Sequence, residues 1–463
     1  MQKKSLRKKT VSSMVWTAIN KYSHMFVTFI SGIVLARLLT PYDYGCIGML
    51  SIFMLLSETF IDGGFGAALI QKKAPTQEDY STIFFWNVGV SLLLYLVLFL
   101  SAPAIAVFYN TPLLCPVLRV QGVVIIIYAF NLVQKNLLRK NMNFKVLSII
   151  TMVTSVVAMG ITIWMAYSGF GVWALVAQNI ITALIPCLVF WFYIKWRPIW
   201  VFSIQSFKEL FGFGFYMFLA HLINTFSGQL QGLLIGKVYT PTTMGYYSKA
   251  HGTEKLASTS ISQVMTQVTY PLYAAVQDDK ASLGNIIKRM TMTLSYVTFP
   301  MMFILILLAE PLFILLYSDK WINSVPYFQV LCIAGLPNCL QAVNFQAISA
   351  IGKSRVMFRW TFIKRFIGIG AVVGGLALFG MKGLLGGLII NSWFSYIVNI
   401  GLVSKHIGYK WTRQLKDLSS VAMVSACIGL ICYFIQQFFD MNMYAEGGIV
   451  LIVYMILYMG WSI

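Results

Sequence analysis

Residues Thr240 to Ser262 read TPTTMGYYSKAHGTEKLASTSIS and set Lys249, His251, Glu254 and Lys255 inside a chain that is apolar in both directions. A helix starting near Thr242 carries Lys255 about 20 Å inward at ~1.5 Å per residue, to near the middle of a ~30 Å hydrocarbon layer. An ionisable group at that depth is a functional hypothesis by default. The stretch is also a second copy. Thr240, Pro241 and Gly245 stand two hundred residues after Thr40, Pro41 and Gly45, with Lys237 matching Arg37.

The duplication extends outward from there. The run from Pro103 to Tyr109 is echoed from Pro311 to Tyr317, and Gly171 to Asn179 is echoed by Gly383 to Asn391. Six spans are therefore repeated, with two appended. Because six is even, both copies keep one orientation, giving a parallel repeat about an axis along the membrane normal.

With 59% hydrophobic residues, 10% charged and a mean hydropathy of +0.77 over 463 residues, the chain carries more apolar surface than a soluble core absorbs. The expected fold is an all-α polytopic membrane protein of about fourteen transmembrane helices. Two six-helix lobes, residues 1–200 and 201–410, are followed by two further helices over 411–463. The formal charge of +20 comes mainly from Lys and Arg in short loops between spans. That is the positive-inside pattern, so it predicts a cytoplasmic amino terminus rather than a nucleic-acid partner. Lys135, Arg139, Lys140 and Lys145 are assigned to one such inner segment, after a fourth span near 113–136. The opening MQKKSLRKKT resembles the basic region of a signal peptide, but Lys21 interrupts the apolar run after it, so an uncleaved first span is expected.

Seven cysteines form no CxxC pair, the four His form no HExxH, and no GxxxxGK[ST] is present. Neither a disulfide, a metal, a cofactor nor an ATP motor is encoded, and no enzyme is predicted. Connections of at most about 10–15 residues leave no soluble domain, so function is placed inside the helical bundle.

Polar residues recur at steps of three and four on particular spans. In the first they are Ser13, Thr17, Asn20, His24, Thr28 and Ser31; in the seventh His221, Asn224, Gly228 and Gln231. The second span carries Ser51, Glu58 and Asp62, and the eighth His251, Lys255, Ser258 and Ser262. Hydrogen-bonded glue between helices is one reading of such stripes, and a wet cavity shared by the four helices is the other. The charges favour the cavity, because a dry core would have to pair Lys21, Glu58, Asp62 and Lys255 in hydrocarbon. Arg37 and Lys249 lie within about two turns of the outer surface, where snorkelling competes, and Arg119 lies about two turns into the fourth span. Glu58, Asp62 and Glu254 read equally as static counter-ions or as groups coupling transport to H+ or Na+.

LARLLTPYDYGCIGM (Leu35 to Met49), FIDGGFGAALIQKK (Phe60 to Lys73), QEDYST (Gln77 to Thr82) and GYYSKA (Gly245 to Ala250) resemble the polysaccharide transporter family of oligosaccharide flippases. These belong to the multidrug, oligosaccharidyl-lipid and polysaccharide exporter superfamily, which also holds the lipid II flippases. The resemblance implies a monomeric multi-pass protein of the bacterial inner membrane. It would move undecaprenyl pyrophosphate-linked oligosaccharides from the cytoplasmic to the periplasmic leaflet by alternating access through a cationic cavity. The family's cavity bases fall here on Lys21, Arg37, Lys249 and Lys255. Lys255, Lys21 and Arg119 are the expected contacts to the diphosphate, and Asn20, His24, His221, Asn224 and His251 are the expected lining beside Arg37 and Lys249. A cation-coupled drug or metabolite antiporter of the same superfamily is the rival; it would prefer an acidic cavity, and bases outnumber acids in the inner spans.

Overall fold

The computed structural model describes residues 2–438 and 443–462, and among them there is no strand. The first nine helices are α1 (Gln2–Leu38), α2 (Pro41–Asp62), α3 (Phe65–Gln71), α4 (Gln77–Phe108), α5 (Leu114–Gln121), α6 (Val123–Lys140), α7 (Phe144–Tyr167), α8 (Val172–Tyr193) and α9 (Ile204–Val238). Then come α10 (Pro241–Ala275), α11 (Lys280–Leu307), α12 (Ala309–Tyr317), a 3-10 turn (Asp319–Ser324), α13 (Val325–Ala350), α14 (Ser354–Ile407), α15 (Trp411–Phe438) and α16 (Met443–Ser462). Among the described residues nine helices are long and apolar enough to cross a membrane. One of them, α14, is two helices in sequence. At 54 residues it would be about 80 Å long if straight, well over twice the hydrocarbon thickness. It turns back at Gly380, whose φ of 59° and ψ of −139° suit only glycine. The two arms then meet backbone to backbone: a Cβ on Gly375 would stand 2.2 Å from the Gly383 carbonyl oxygen. The helix order is consistent with fourteen spans in a repeated six-plus-six-plus-two arrangement.

The motif that decides the fold acts first as a helix start. Thr40 Oγ1 accepts from the Asp43 amide at 3.3 Å, while Asp43 Oδ2 accepts from the Thr40 amide at 2.9 Å and its hydroxyl at 2.6 Å. Pro41 at the first turn lacks the N–H that would have had no partner there. The second copy keeps the cap with a hydroxyl in place of the carboxylate, since Thr240 Oγ1 accepts from the Thr243 amide at 3.2 Å. Five residues on from each Thr, the two copies pack on one another. A Cβ on Gly45 would sit 1.7 Å from the Pro241 carbonyl oxygen, and one on Gly245 would sit 1.8 Å from that of Pro41.

The chain divides into two compact units, Met1–Gly245 and Tyr246–Ile463. The boundary falls within the repeated motif, and α9 packs along α2 at the glycines Gly232 and Gly236. In the first unit, Lys72 joins Asp79 at 3.0 Å to Glu209 at 2.9 Å, and Lys140 donates to the carbonyls of Leu69, Ile70 and Lys72 at the end of α3. Burial works against the Lys72 charge, but its hydrogen bonds to Glu209 and Asp79 outweigh burial and hold its pKa above the ordinary lysine value. In the second unit, a cluster of Ile428, Cys432, Val450, Tyr454 and Tyr458 ties α15 and α16 onto α11.

Candidate functional site

Inside the first unit, α2, α6, α7 and α8 wall a cavity of about 560 Å³. From α2 it receives Ser51, Glu58 and Asp62, which the sequence had marked as a stripe. The opposite wall was not anticipated. Tyr128, Asn131, Lys135 and Arg139 line it from α6 at steps of three, four and four, with Asn136 beside them and Gln121 above. Lys135 and Arg139, expected in an inner segment, lie on α6, which runs on to Lys140 and brings both to the cavity wall. Counting bases by side hid them. The helical spacing of polar residues from Gln121 to Arg139 was the signal available.

The charges here are not paired with one another. Among the described residues the ion pairs within 4.0 Å are Lys72–Asp79, Lys72–Glu209 and Lys288–Asp417, so Glu58, Asp62, Lys135 and Arg139 face open space. Three of the lining residues also carry buried amide atoms without a hydrogen-bond partner, Gln121 Oε1, Asn131 Oδ1 and Asn136 Nδ2, on residues only 4%, 8% and 4% exposed. Asn131 is held in place by its other end, Nδ2 donating to the Ala183 carbonyl at 3.0 Å. Gly66 leaves room for this wall, since a Cβ there would lie 2.8 Å from Asp62 Oδ1 and 3.0 Å from Asn136 Nδ2.

Lys21, His24, Arg37, Arg119, His221 and Asn224 lie elsewhere in this unit and are not among the residues lining the cavity. On α1, Lys21 is half-buried with Nζ 5.9 Å from the Tyr22 ring, and exposed His24 meets Thr28 Oγ1 at 3.4 Å. Arg37 is exposed at the end of that helix, and Asn20 lies outside the residues whose side chains are described. On α9, His221 and Asn224 are exposed. Hydroxyl contacts do stitch α2 to α9, Ser51 Oγ donating to Gln229 Oε1 at 3.1 Å and Thr59 meeting Thr225 at 3.2 Å. Interhelical glue and a cavity thus coexist on α2, and Ser51 belongs to both.

Arg119 answers to a backbone need. Pro103 interrupts α4 and has no N–H to give the carbonyl four residues before it, that of Phe99. Arg119 Nε donates to that oxygen at 3.3 Å, and its guanidinium carbon lies 4.4 Å from the Phe99 ring centroid. The second unit repeats the device with another donor. Pro300 frees the Tyr296 carbonyl, and the Tyr458 hydroxyl donates to it at 3.1 Å.

In the second unit the charges of α10 separate by face. Lys249 is 9% exposed, with Nζ 3.9 Å from the Tyr317 ring centroid and 5.8 Å from that of Trp321. Glu254 is 5% exposed and its Oε1 has no hydrogen-bond partner. Lys255, one residue and ~100° further round, is exposed. His251, one turn before Lys255, stacks on Tyr247 with centroids 5.7 Å apart. The sequence missed Lys364, which is buried and donates to Asn399 Oδ1 at 2.8 Å.

Residues 34–326 match the family model described as polysaccharide biosynthesis protein. The teichuronic acid biosynthesis protein TuaB of Bacillus subtilis (strain 168) is 24% identical over 441 residues, covering 93% of this chain and 89% of that protein. The lipopolysaccharide biosynthesis protein WzxC of Escherichia coli (strain K12) is 24% identical over 404 residues, covering 86% of this chain and 82% of its own. Among solved structures, the inward closed conformation of the lipid II flippase MurJ superposes with a TM-score of 0.76 at 14% identity, over 97% of this chain and 98% of that one. An inward-facing multidrug resistance MATE family transporter of the MOP superfamily gives 0.64 at 16% identity, over 86% and 98%. At such identities the structural likenesses speak for the fold alone.

Proposed function

The chain belongs to the polysaccharide biosynthesis protein family, a multi-pass membrane family of the exporter superfamily, and from that premise we propose that it is a flippase for a lipid-linked oligosaccharide. The substrate is an undecaprenyl pyrophosphate-linked repeat unit, carried from the cytoplasmic to the periplasmic leaflet of a bacterial inner membrane by alternating access. The observation that carries this reading is the 560 Å³ cavity, lined by Glu58, Asp62, Lys135 and Arg139 among apolar side chains and walled by helices long enough to span the bilayer.

The physical need is plain. Each unpaired sugar hydroxyl costs ~2–7 kcal/mol on transfer to hydrocarbon, and a phosphate charge costs more. A polar path inside the helices removes that cost, while the polyprenyl tail stays in lipid. Lys255, exposed near mid-span, and Lys21 serve as point charges for the diphosphate. Arg37, Asn20, His24, His221, Asn224 and His251 complete the polar route. Arg119 and Lys249 support it from the Phe99 carbonyl and the Tyr317 ring. Glu254, buried with Oε1 lacking a hydrogen bond, is the carboxylate suited to bind and release a coupling ion. With the cell interior negative, each negative charge moved outward releases ~2.3 kcal/mol per 100 mV, so the diphosphate itself contributes to the drive.

The test is complementation of a strain lacking this flippase. Lys255→Ala, with the protein present in the membrane at its usual level, is expected to abolish glycan export. Unaltered export by that variant would remove Lys255 from its role.

A further inference from the structure

Packed helices of the second unit bring three connections to one end. α11 packs against α13, α14 and α15, and α14 turns back at Gly380, so the end of α13, both ends of α14 and the start of α15 fall on one side. The start of α11 joins them, since a Cβ on Gly284 would stand 3.9 Å from that of Tyr409 in the turn before α15. We infer that this end is a binding site for the headgroup phosphate of an anionic phospholipid, held by Lys280, Lys353 and Lys405 at the membrane surface expected to face the cytoplasm. The inference goes beyond the flippase reading and does not rest on it; it needs only the membrane-spanning fold.

The bases arrive from separate stretches of chain. Half-buried His406, in the last turn of α14, feels the charges of Lys353, Lys405 and Lys280, one from each connection, and every charge acting on it is positive. All three lysines are exposed, and none belongs to an ion pair within 4.0 Å among the described residues. The acids of these connections are largely engaged elsewhere. Asp279 Oδ1 accepts from the amides of Ala281 and Ser282 at 3.0 and 3.1 Å, at the start of α11. Asp417 Oδ2 accepts from the Tyr409 hydroxyl at 2.7 Å and faces Lys288 at 3.6 Å. That leaves exposed Asp278 against the three lysines. Like charges gathered around one point repel, and an anion among them turns the repulsion into attraction. The positive-inside bias alone asks for bases on one side, not for their convergence.

The apolar surroundings favour a lipid over a soluble phosphate. Trp411, 53% exposed between Lys410 and Arg413, is an amphipathic ring of the kind found at membrane interfaces. On α14 an exposed stripe of Phe358, Phe362 and Phe366, at steps of four, begins within two turns of Lys353. A phosphate at Lys353 thus has apolar surface beside it for acyl chains. Lysines, compact point charges on flexible stems, suit a phosphodiester, which offers no planar fork to match.

The full chain is placed in nanodiscs of phosphatidylcholine with or without phosphatidylglycerol, labelled with a lysine-reactive ester and read by mass spectrometry. Phosphatidylglycerol should slow labelling of Lys280, Lys353 and Lys405 more than that of Lys73, Lys195 and Lys208, exposed bases of the first unit. Native mass spectrometry supplies the second reading. Lys280→Gln, Lys353→Gln and Lys405→Gln combined should lower retained phosphatidylglycerol by about tenfold, whereas the same loss of charge at Lys73, Lys195 and Lys208 should leave it near that of the natural chain. Equal slowing at all six lysines, or equal loss of lipid from both triple variants, overturns the inference in favour of a diffuse basic surface. Protection by inorganic phosphate in phosphatidylcholine nanodiscs equal to that by phosphatidylglycerol overturns the lipid as its source.

Discussion

The helices α2 and α10 are two copies of one element, and they have been put to different uses. Glu58 and Asp62 on α2 line an open cavity, whereas Ser258 and Ser262 at the equivalent positions of α10 are packed. There Ser262 Oγ donates to the Ser258 carbonyl at 2.9 Å, and that oxygen also accepts from Cys339 Sγ at 3.5 Å. The opposite exchange occurs nearer the amino-terminal ends. Met49 of α2 is fully buried and its carbonyl accepts from the Tyr109 hydroxyl at 3.3 Å. At the matching place Lys249 lies over the ring of Tyr317, the counterpart of Tyr109 in the duplicated segment. The scaffold contact is kept and the chemistry around it changed. Duplication supplies a frame that each copy fills with its own charges, which is why a stripe read in one copy does not transfer to the other.

The frame itself is the most sensitive point. Replacing Gly245 by Leu should abolish folded protein, seen as loss of the monodisperse peak on size-exclusion chromatography, because no shift of a side chain can clear a backbone carbonyl 1.8 Å from the new Cβ. Retention of a normal peak would show that the reciprocal glycine contact is dispensable. Next in size, Glu58→Ser with Asp62→Ser gives α2 the side chains of α10. Export should fall by about tenfold or more while the chain still folds, since unmatched Lys135 and Arg139 would leave the cavity cationic. Unchanged export would mean that the difference between the copies carries no function. Arg119→Gln should lower thermal stability by about 1 kcal/mol, the usual worth of one hydrogen bond, because the Phe99 carbonyl freed by Pro103 loses its donor. The smallest effect is expected of Lys249→Met, which restores the residue of the first copy. Melting temperature should hold or rise, because a similar volume is kept and a buried charge removed; a clear fall would make the cation over Tyr317 a net stabilising contact.

The fold was largely legible in the sequence, since hydropathy, the TPxxxG repeat and the even number of repeated spans are strong and local signals. The α2 half of the cavity was legible too, because Glu58 and Asp62 are acids in an apolar run. Its other wall was not. Lys135 and Arg139 sit near the end of α6, where bases are ordinary, and only the course of that helix decides that they reach the cavity. Arg119 misled in the reverse direction. Its depth suggested a ligand, but the cause was Pro103, sixteen residues earlier in sequence and on another helix, a relation that spacing alone does not reveal.

The central claim is that this chain moves a glycan head group across the membrane. In intact spheroplasts pulse-labelled for lipid-linked sugar, a membrane-impermeant oxidant added outside should reach the labelled head groups when the chain is present. On its deletion the label should accumulate in a form that the oxidant cannot reach. Equal accessibility with and without the chain would contradict the account.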